Sequence, residues 1–211
     1  MGESMTESAG ESRPQRLFVA APLPDGLKRT LGEWARSLQA AQPFRKWTHE
    51  ADLHVTLQFL GDTAPDRVPA LTESLAAAAA SGALRPFRLA LAGVGTFGLP
   101  ERPRVFWASL GGENGELRRL QRLVVEATAP LGYEAEKRSY SPHLTLARNF
   151  TGRDPFVLPI LPPELAPAPT ADGRAATDGD SGSWVVDEIV LYRTLMGRRP
   201  MYEAAGRFRL G

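Results

Sequence analysis

The 211-residue chain is 43% hydrophobic and 23% charged, ordinary values for a globular protein long enough to bury a substantial core. Its formal charge of +1 excludes a protein that coats polyanions over its whole surface, but leaves room for a small electropositive pocket. The absence of cysteine excludes a disulfide frame, a thiolate nucleophile and a cysteine-based zinc site. No run approaches the roughly 18 apolar residues of a membrane span, so a soluble, cytoplasmic, monomeric protein is expected.

Residues 1–15 are rich in Ser, Glu and Gly without apolar periodicity, which predicts a disordered tail ahead of one domain over 16–211. Leu17 to Ala21 reads as a buried strand closed by Pro22 and Pro24. Leu27, Leu31, Trp34, Ala35 and Leu38 fall at helical spacing, predicting a helix to about Gln39. Leu53 to Leu60 alternates, with His54, Thr56 and Gln58 on one face and Val55, Leu57 and Phe59 on the other. A second helix is predicted from Val68 through the alanine tract to about Gly82.

Phe87 to Val94 and Val105 to Leu110 read as two strands joined by a Gly- and Pro-rich loop carrying Thr96, Phe97 and Gly98. Leu117, Leu120, Val124 and Ala127 mark a third helix, stopped by Pro130 and Gly132. A strand over His143 to Ala147 follows, then a mobile loop over 162–183, and strands near Trp184 to Tyr192 and Tyr202 to Leu210. Few helices and several consecutive strands predict an α+β fold: bilobal, with two antiparallel-rich sheets and flanking helices around a central cleft.

Only three histidines occur, and two stand in matching tetrads, His54-Val55-Thr56-Leu57 and His143-Leu144-Thr145-Leu146. On a strand, residues two apart share a face, so each His stands beside its Thr. If both strands line one cleft, two imidazoles and two hydroxyls converge. One imidazole can activate water while the other protonates a departing oxygen, as in-line displacement at phosphorus requires. Threonine hydroxyls would donate to non-bridging phosphate oxygens. A lone His-x-Thr is ordinarily a hydrogen-bonded structural pair, but packing gives no reason to repeat polar identities at one offset. No third ligand follows either tetrad at metal-binding spacing, so neither a metal nor another cofactor is expected.

The tetrads with their flanks, Leu53 to Gly61 and Ser141 to Arg148, resemble the two-histidine (2H) phosphoesterase superfamily, and within it the bacterial and archaeal RNA 2′,3′-cyclic phosphodiesterases, also called 2′-5′ RNA ligases. The likeness runs from Arg16 to Leu210 and takes in Arg16 to Ala20, Lys46-Trp47, Pro103 to Ala108 and Val186 to Arg193. It implies a bilobal fold and metal-independent opening of terminal 2′,3′-cyclic phosphates to 2′-phosphates on RNA ends or nucleotides, with 2′-5′ joining as the reverse reaction. It also implies His54 as general acid, His143 as general base, and Thr56, Thr145 and Arg148 on the phosphate. The alternative is a nucleotide- or RNA-binding module without turnover.

Strict alternation puts Arg148 on the face opposite His143 and Thr145, so the strand must end, bulge or twist before it, or the long side chain must reach around. Trp47, Phe97 and Tyr140 suit either base stacking or core packing. Arg45, Lys46, Arg104 and Arg138 suit either an electropositive approach or a solvated surface. His49 receives no role.

Overall fold

The computed structural model describes residues 13–166 and 182–211. Most of the expected tail, and positions 167–181 of the expected loop, lie outside the described residues. The first strand starts one residue inside the expected tail, with Gln15 paired to Thr63.

Within the described residues nine strands form one sheet: β1 (Gln15–Pro22), β2 (Phe44–Trp47), β3 (His54–Thr63), β4 (Phe87–Leu99), β5 (Arg102–Gly112), β6 (Leu144–Phe150), β7 (Ser183–Val186), β8 (Glu188–Thr194) and β9 (Tyr202–Arg209). Three helices, α1 (Asp25–Leu38), α2 (Val68–Ala79) and α3 (Asn114–Thr128), match the expected ones closely. Each begins or ends where the sequence allows. Pro24 precedes α1 with Asp25 in its first turn, Pro69 sits in the first turn of α2, and Gly132 at φ +82° follows the end of α3.

The strand order is β7-β4-β5-β6-β3-β1-β8-β9, with β2 also on β6 and every pairing antiparallel. The α+β class is as expected. The two sheets are two halves of one: β3 and β6 are joined by a single residue pair, Val55 opposite Leu144. Leu17, Val19, Val55, Leu57, Leu144 and Leu146 face the helices in one large apolar cluster. The opposite face carries a smaller cluster of Phe18, Ala20, Val190 and Tyr192. At about 1.5–3 kcal/mol for each fully buried Leu, the helix-side cluster dominates stability and leaves the other face free for polar chemistry.

Two expectations change. Thr96, Phe97 and Gly98 belong to no loop, because β4 and β5 form a long hairpin turning at Pro100 and Glu101. Gly95 in that hairpin serves close packing: a Cβ there would sit 2.5 Å from the Trp107 ring. The single strand expected over Trp184 to Tyr192 is two strands broken at Asp187. β7 pairs with β4 and β8 with β1. Strands one residue apart in sequence thus occupy distant places in the sheet order, so the sheet curls until its ends approach.

Gly95→Ala should lower unfolding stability by about 1–3 kcal/mol, the cost of overpacking against a fixed indole. Urea melts of the two proteins measure the difference.

Candidate active site

The Val55–Leu144 pair sets the geometry. Antiparallel register around it puts His54 across from Thr145 and Thr56 across from His143. Val55 and Leu144 are fully buried on the helix side, so the pleat turns all four polar residues to the other face. The histidines are diagonal neighbours in this square. Both line one cavity of about 730 Å³, together with Thr56, Thr145 and Arg148.

Arg148 reaches that face through a bulge. Trp107 pairs with Thr145 and Phe106 with Ala147, leaving Leu146 as the extra residue. Leu146 and Ala147 both turn inward, alternation resets, and Arg148 rejoins the face of Thr145, with its guanidinium 3.5 Å from Thr145 Oγ1. β3 does the same. Ala20 pairs with Thr56 and Val19 with Gln58, leaving Leu57 extra. The repeat seen in four letters therefore extends to the strand irregularity that follows them.

It extends to the imidazoles as well. His54 Nδ1 lies 2.6 Å from the Asp52 carbonyl, and His143 Nδ1 lies 2.7 Å from the Ser141 carbonyl. A carbonyl only accepts, so each Nδ1 carries a proton and Nε2 is left to take or give the second. His54 Nε2 lies 3.1 Å from Thr56 Oγ1.

The rings differ in their surroundings. His54 packs against Phe18, Tyr202 and Tyr192 at centroid distances of 4.8, 5.2 and 5.9 Å. Desolvation there outweighs the Asp52 carbonyl and pushes the His54 pKa down to about 4. His143 meets Phe97 edge-on at 5.0 Å and Trp107 at 6.2 Å. Its pKa also lies below the ordinary value, first through desolvation, with the Arg148 charge adding to the effect.

Of the softer candidates, Arg45, Lys46, Arg104 and Arg138 all line the cavity. With Arg148 and Arg199 they give six cations against one carboxylate, Asp52, in a chain of net charge +1. Trp47 packs against Phe44 and Phe106 at the edge of the core and also lines the cavity. Tyr140 donates to the Thr56 carbonyl at 2.9 Å and braces β3. Phe97 lines the cavity behind His143. His49 caps the turn over Glu50–Asp52, its Nδ1 accepting from the Ala51 N–H.

Sequence reading missed Asp52, Arg199 and Tyr202. The buried Asp52 carboxylate accepts the backbone N–H groups of Met201 and Tyr202 at 3.0 Å, seating Tyr202 against His54. Its place two residues before His54, matching Ser141 before His143, was the available signal. Among the described residues no three His, Asp or Glu cluster as metal ligands would.

The family model of the 2′-5′ RNA ligase superfamily matches residues 23–198. The chain belongs to that superfamily. It is 41% identical over 193 residues to the RNA 2′,3′-cyclic phosphodiesterase of Geobacillus stearothermophilus, covering 92% of this chain and 56% of that one. It thus spans little more than half the length of that relative. It is 30% identical to the RNA 2′,3′-cyclic phosphodiesterase of Bacillus subtilis, covering 92% and 95% of the two chains. Among solved structures, E. coli LigT complexed with 3′-AMP superposes with a TM-score of 0.71 at 24% identity, covering 93% of this chain and 98% of that one. A Thermus thermophilus protein superposes with a TM-score of 0.66 at 28% identity, covering 92% and 97%.

The unfolded chain, with His near 6.5, holds a proton at position 54 better than the folded chain does, at about 4. This contribution to stability is therefore whole above pH 6.5 and is lost as pH falls towards 4. Between pH 7 and pH 5 the loss at His54 should be about 2 kcal/mol. Urea melts at both pH values should show His54→Gln losing that much less than the unsubstituted protein.

Proposed function

We propose that the protein is an RNA 2′,3′-cyclic phosphodiesterase that works without a metal, using His54 as general acid and His143 as general base. The observation that carries this is the diagonal placement of two imidazoles, each with Nδ1 held by a backbone carbonyl so that proton transfer falls to Nε2, across one cation-lined cavity. The names of the relatives support the activity, and the 3′-AMP held by E. coli LigT supports nucleotides as the substrate class.

His143 Nε2 takes a proton from water, whose oxygen attacks phosphorus. The bond from phosphorus to O3′ breaks, His54 Nε2 gives its proton to O3′, and a 2′-phosphate remains. His143 is the less desolvated ring of the two and hence the better base. The His54 imidazolium, penalised by burial, is the stronger acid once the substrate's negative charge has helped to load it. Thr56, Thr145 and Arg148 donate to the non-bridging oxygens, where charge grows in the transition state. The flanking cations approach the anionic strand. With a 5′-hydroxyl in place of the attacking water, the same groups would join it to phosphorus as a 2′-5′ linkage. The cleft is complete within one chain, consistent with a monomer acting on free RNA ends in the cytoplasm.

Purified protein in EDTA should convert a 2′,3′-cyclic nucleotide, or an oligonucleotide ending in one, to the 2′-phosphate. His54→Ala and His143→Ala should each lower kcat by about 10²–10⁴-fold, on the scale of general acid–base catalysis. Arg148→Ala should lower kcat/KM by about 10²-fold. Calorimetric nucleotide binding without turnover would instead establish a binding module.

The productive state holds one proton on the pair, so kcat/KM follows the singly protonated form. That form is populated between about 4 for His54 and the lowered value of His143. The pH profile of kcat/KM should be a bell with its maximum below 6.5, whichever ring is acid.

A further inference from the structure

The two halves of the site repeat as far as the carbonyl behind each imidazole, and part at the residue that supplies it. Asp52 stands two residues before His54, and Ser141 two residues before His143. Both lend a backbone carbonyl to the Nδ1 of their histidine. Their side chains differ. Ser141 is exposed, whereas Asp52 is only 5% exposed and its carboxylate reaches a segment near the far end of the chain. Oδ1 accepts the N–H groups of Met201 and Tyr202, both at 3.0 Å, and Oδ2 lies 3.0 Å from the Met201 nitrogen as well.

That segment leads into β9 beside His54, and Met201 and Tyr202 both line the catalytic cavity. The Tyr202 ring stands edge-on to the imidazole at 5.2 Å and edge-on to Phe18 at 4.8 Å. With Tyr192 it completes a three-ring enclosure of His54, drawn from β1, β8 and β9. His143 meets two rings, Phe97 and Trp107, both from the β4–β5 hairpin. The turn that carries Asp52 is itself secured: His49 caps it, and Lys28 Nζ donates to the Ala51 carbonyl at 3.3 Å. One residue therefore grips one imidazole twice, directly through its carbonyl and indirectly through the strand it fastens.

We propose that Asp52 is a positioning residue that makes the two histidines unequal: its carbonyl sets the His54 ring and its carboxylate fastens the start of β9 beside that ring, so that His54 is enclosed while His143 stays open. The proposal rests on the phosphodiesterase reading for the use made of His54, and adds what sets that ring apart from its counterpart.

The charged groups facing His54 are Asp52, Lys28 from α1 and Arg148 from β6. Tyr192 and Tyr202 face it from β8 and β9, and His143 stands diagonally across. Enclosure is the first cause of its low pKa, ahead of the carbonyl and charge of Asp52, which act the other way. Loosening the enclosure and removing the charge should thus move His54 in opposite directions.

The test follows both histidines by NMR titration of the substrate-free protein, beside kcat and KM for a 2′,3′-cyclic nucleotide. Asp52→Ala should raise the His54 pKa from about 4 by about one unit or more, as water reaches the ring, and leave that of His143 in place. It should lower kcat about tenfold or more with little change in KM, because the ring is no longer held in line. Asp52→Asn keeps an oxygen able to accept both N–H groups and loses only the charge. It should restore kcat and leave His54 at or slightly below its unsubstituted value. Tyr202→Ala, with Asp52 intact, should raise the His54 pKa as well, and decides the matter should Asp52→Ala not fold. A His54 pKa that fails to rise in these two variants, or rises as far in Asp52→Asn, overturns the proposal, as does an unchanged kcat in Asp52→Ala. An unsubstituted protein inert towards the cyclic nucleotide overturns the phosphodiesterase reading instead, on which the titrations do not depend.

Discussion

One residue pair, Val55 opposite Leu144, holds the chemistry together. A slip of one residue by either strand at this pair would turn that strand's histidine and threonine into the helix-side core, because side chains alternate with period two. The slip is opposed by Val55 and Leu57 on one strand and by Leu144 and Leu146 on the other, which would be driven out of the apolar cluster they now fill. Hydrophobic burial on one face thus fixes polar placement on the other. The two bulges at Leu57 and Leu146 then use the same register rule in reverse, each switching one later residue onto the catalytic face.

The same cavity concentrates positive charge in a chain whose total is nearly neutral. Its cations are gathered from β2, β5, β6 and the segments before β6 and β9, while the surface elsewhere pairs arginines with acids, as in Arg16 with Asp62 and Arg36 with Glu50. Aromatic rings behind each imidazole exclude water from its inner side and favour its uncharged form.

Local patterns told most of this in advance. The tetrads are short, polar and repeated, and α1 and α3 carry helical periodicity that no tertiary contact overrides. The bulge on β6 could be inferred as well, since Arg148 was needed on the face that alternation denied it. What escaped depended on contacts distant in sequence. Gly95 resembles loop punctuation unless the Trp107 ring crossing the backbone is known. Asp187 gives no turn signal strong enough to split a continuous apolar run. Asp52 acquires its role only through backbone groups 149 and 150 residues away. Phe59 was assigned by strict alternation to the face of Val55, and the bulge at Leu57 moved it.

The break at Asp187 has a mechanical corollary. A single residue links β7, at one margin of the sheet, to β8, near the other, and the Asp187 carbonyl accepts the Leu210 N–H to fasten the C-terminus at the same spot. One peptide link and one backbone hydrogen bond therefore tie the two margins of the sheet together, and that tie opposes their separation.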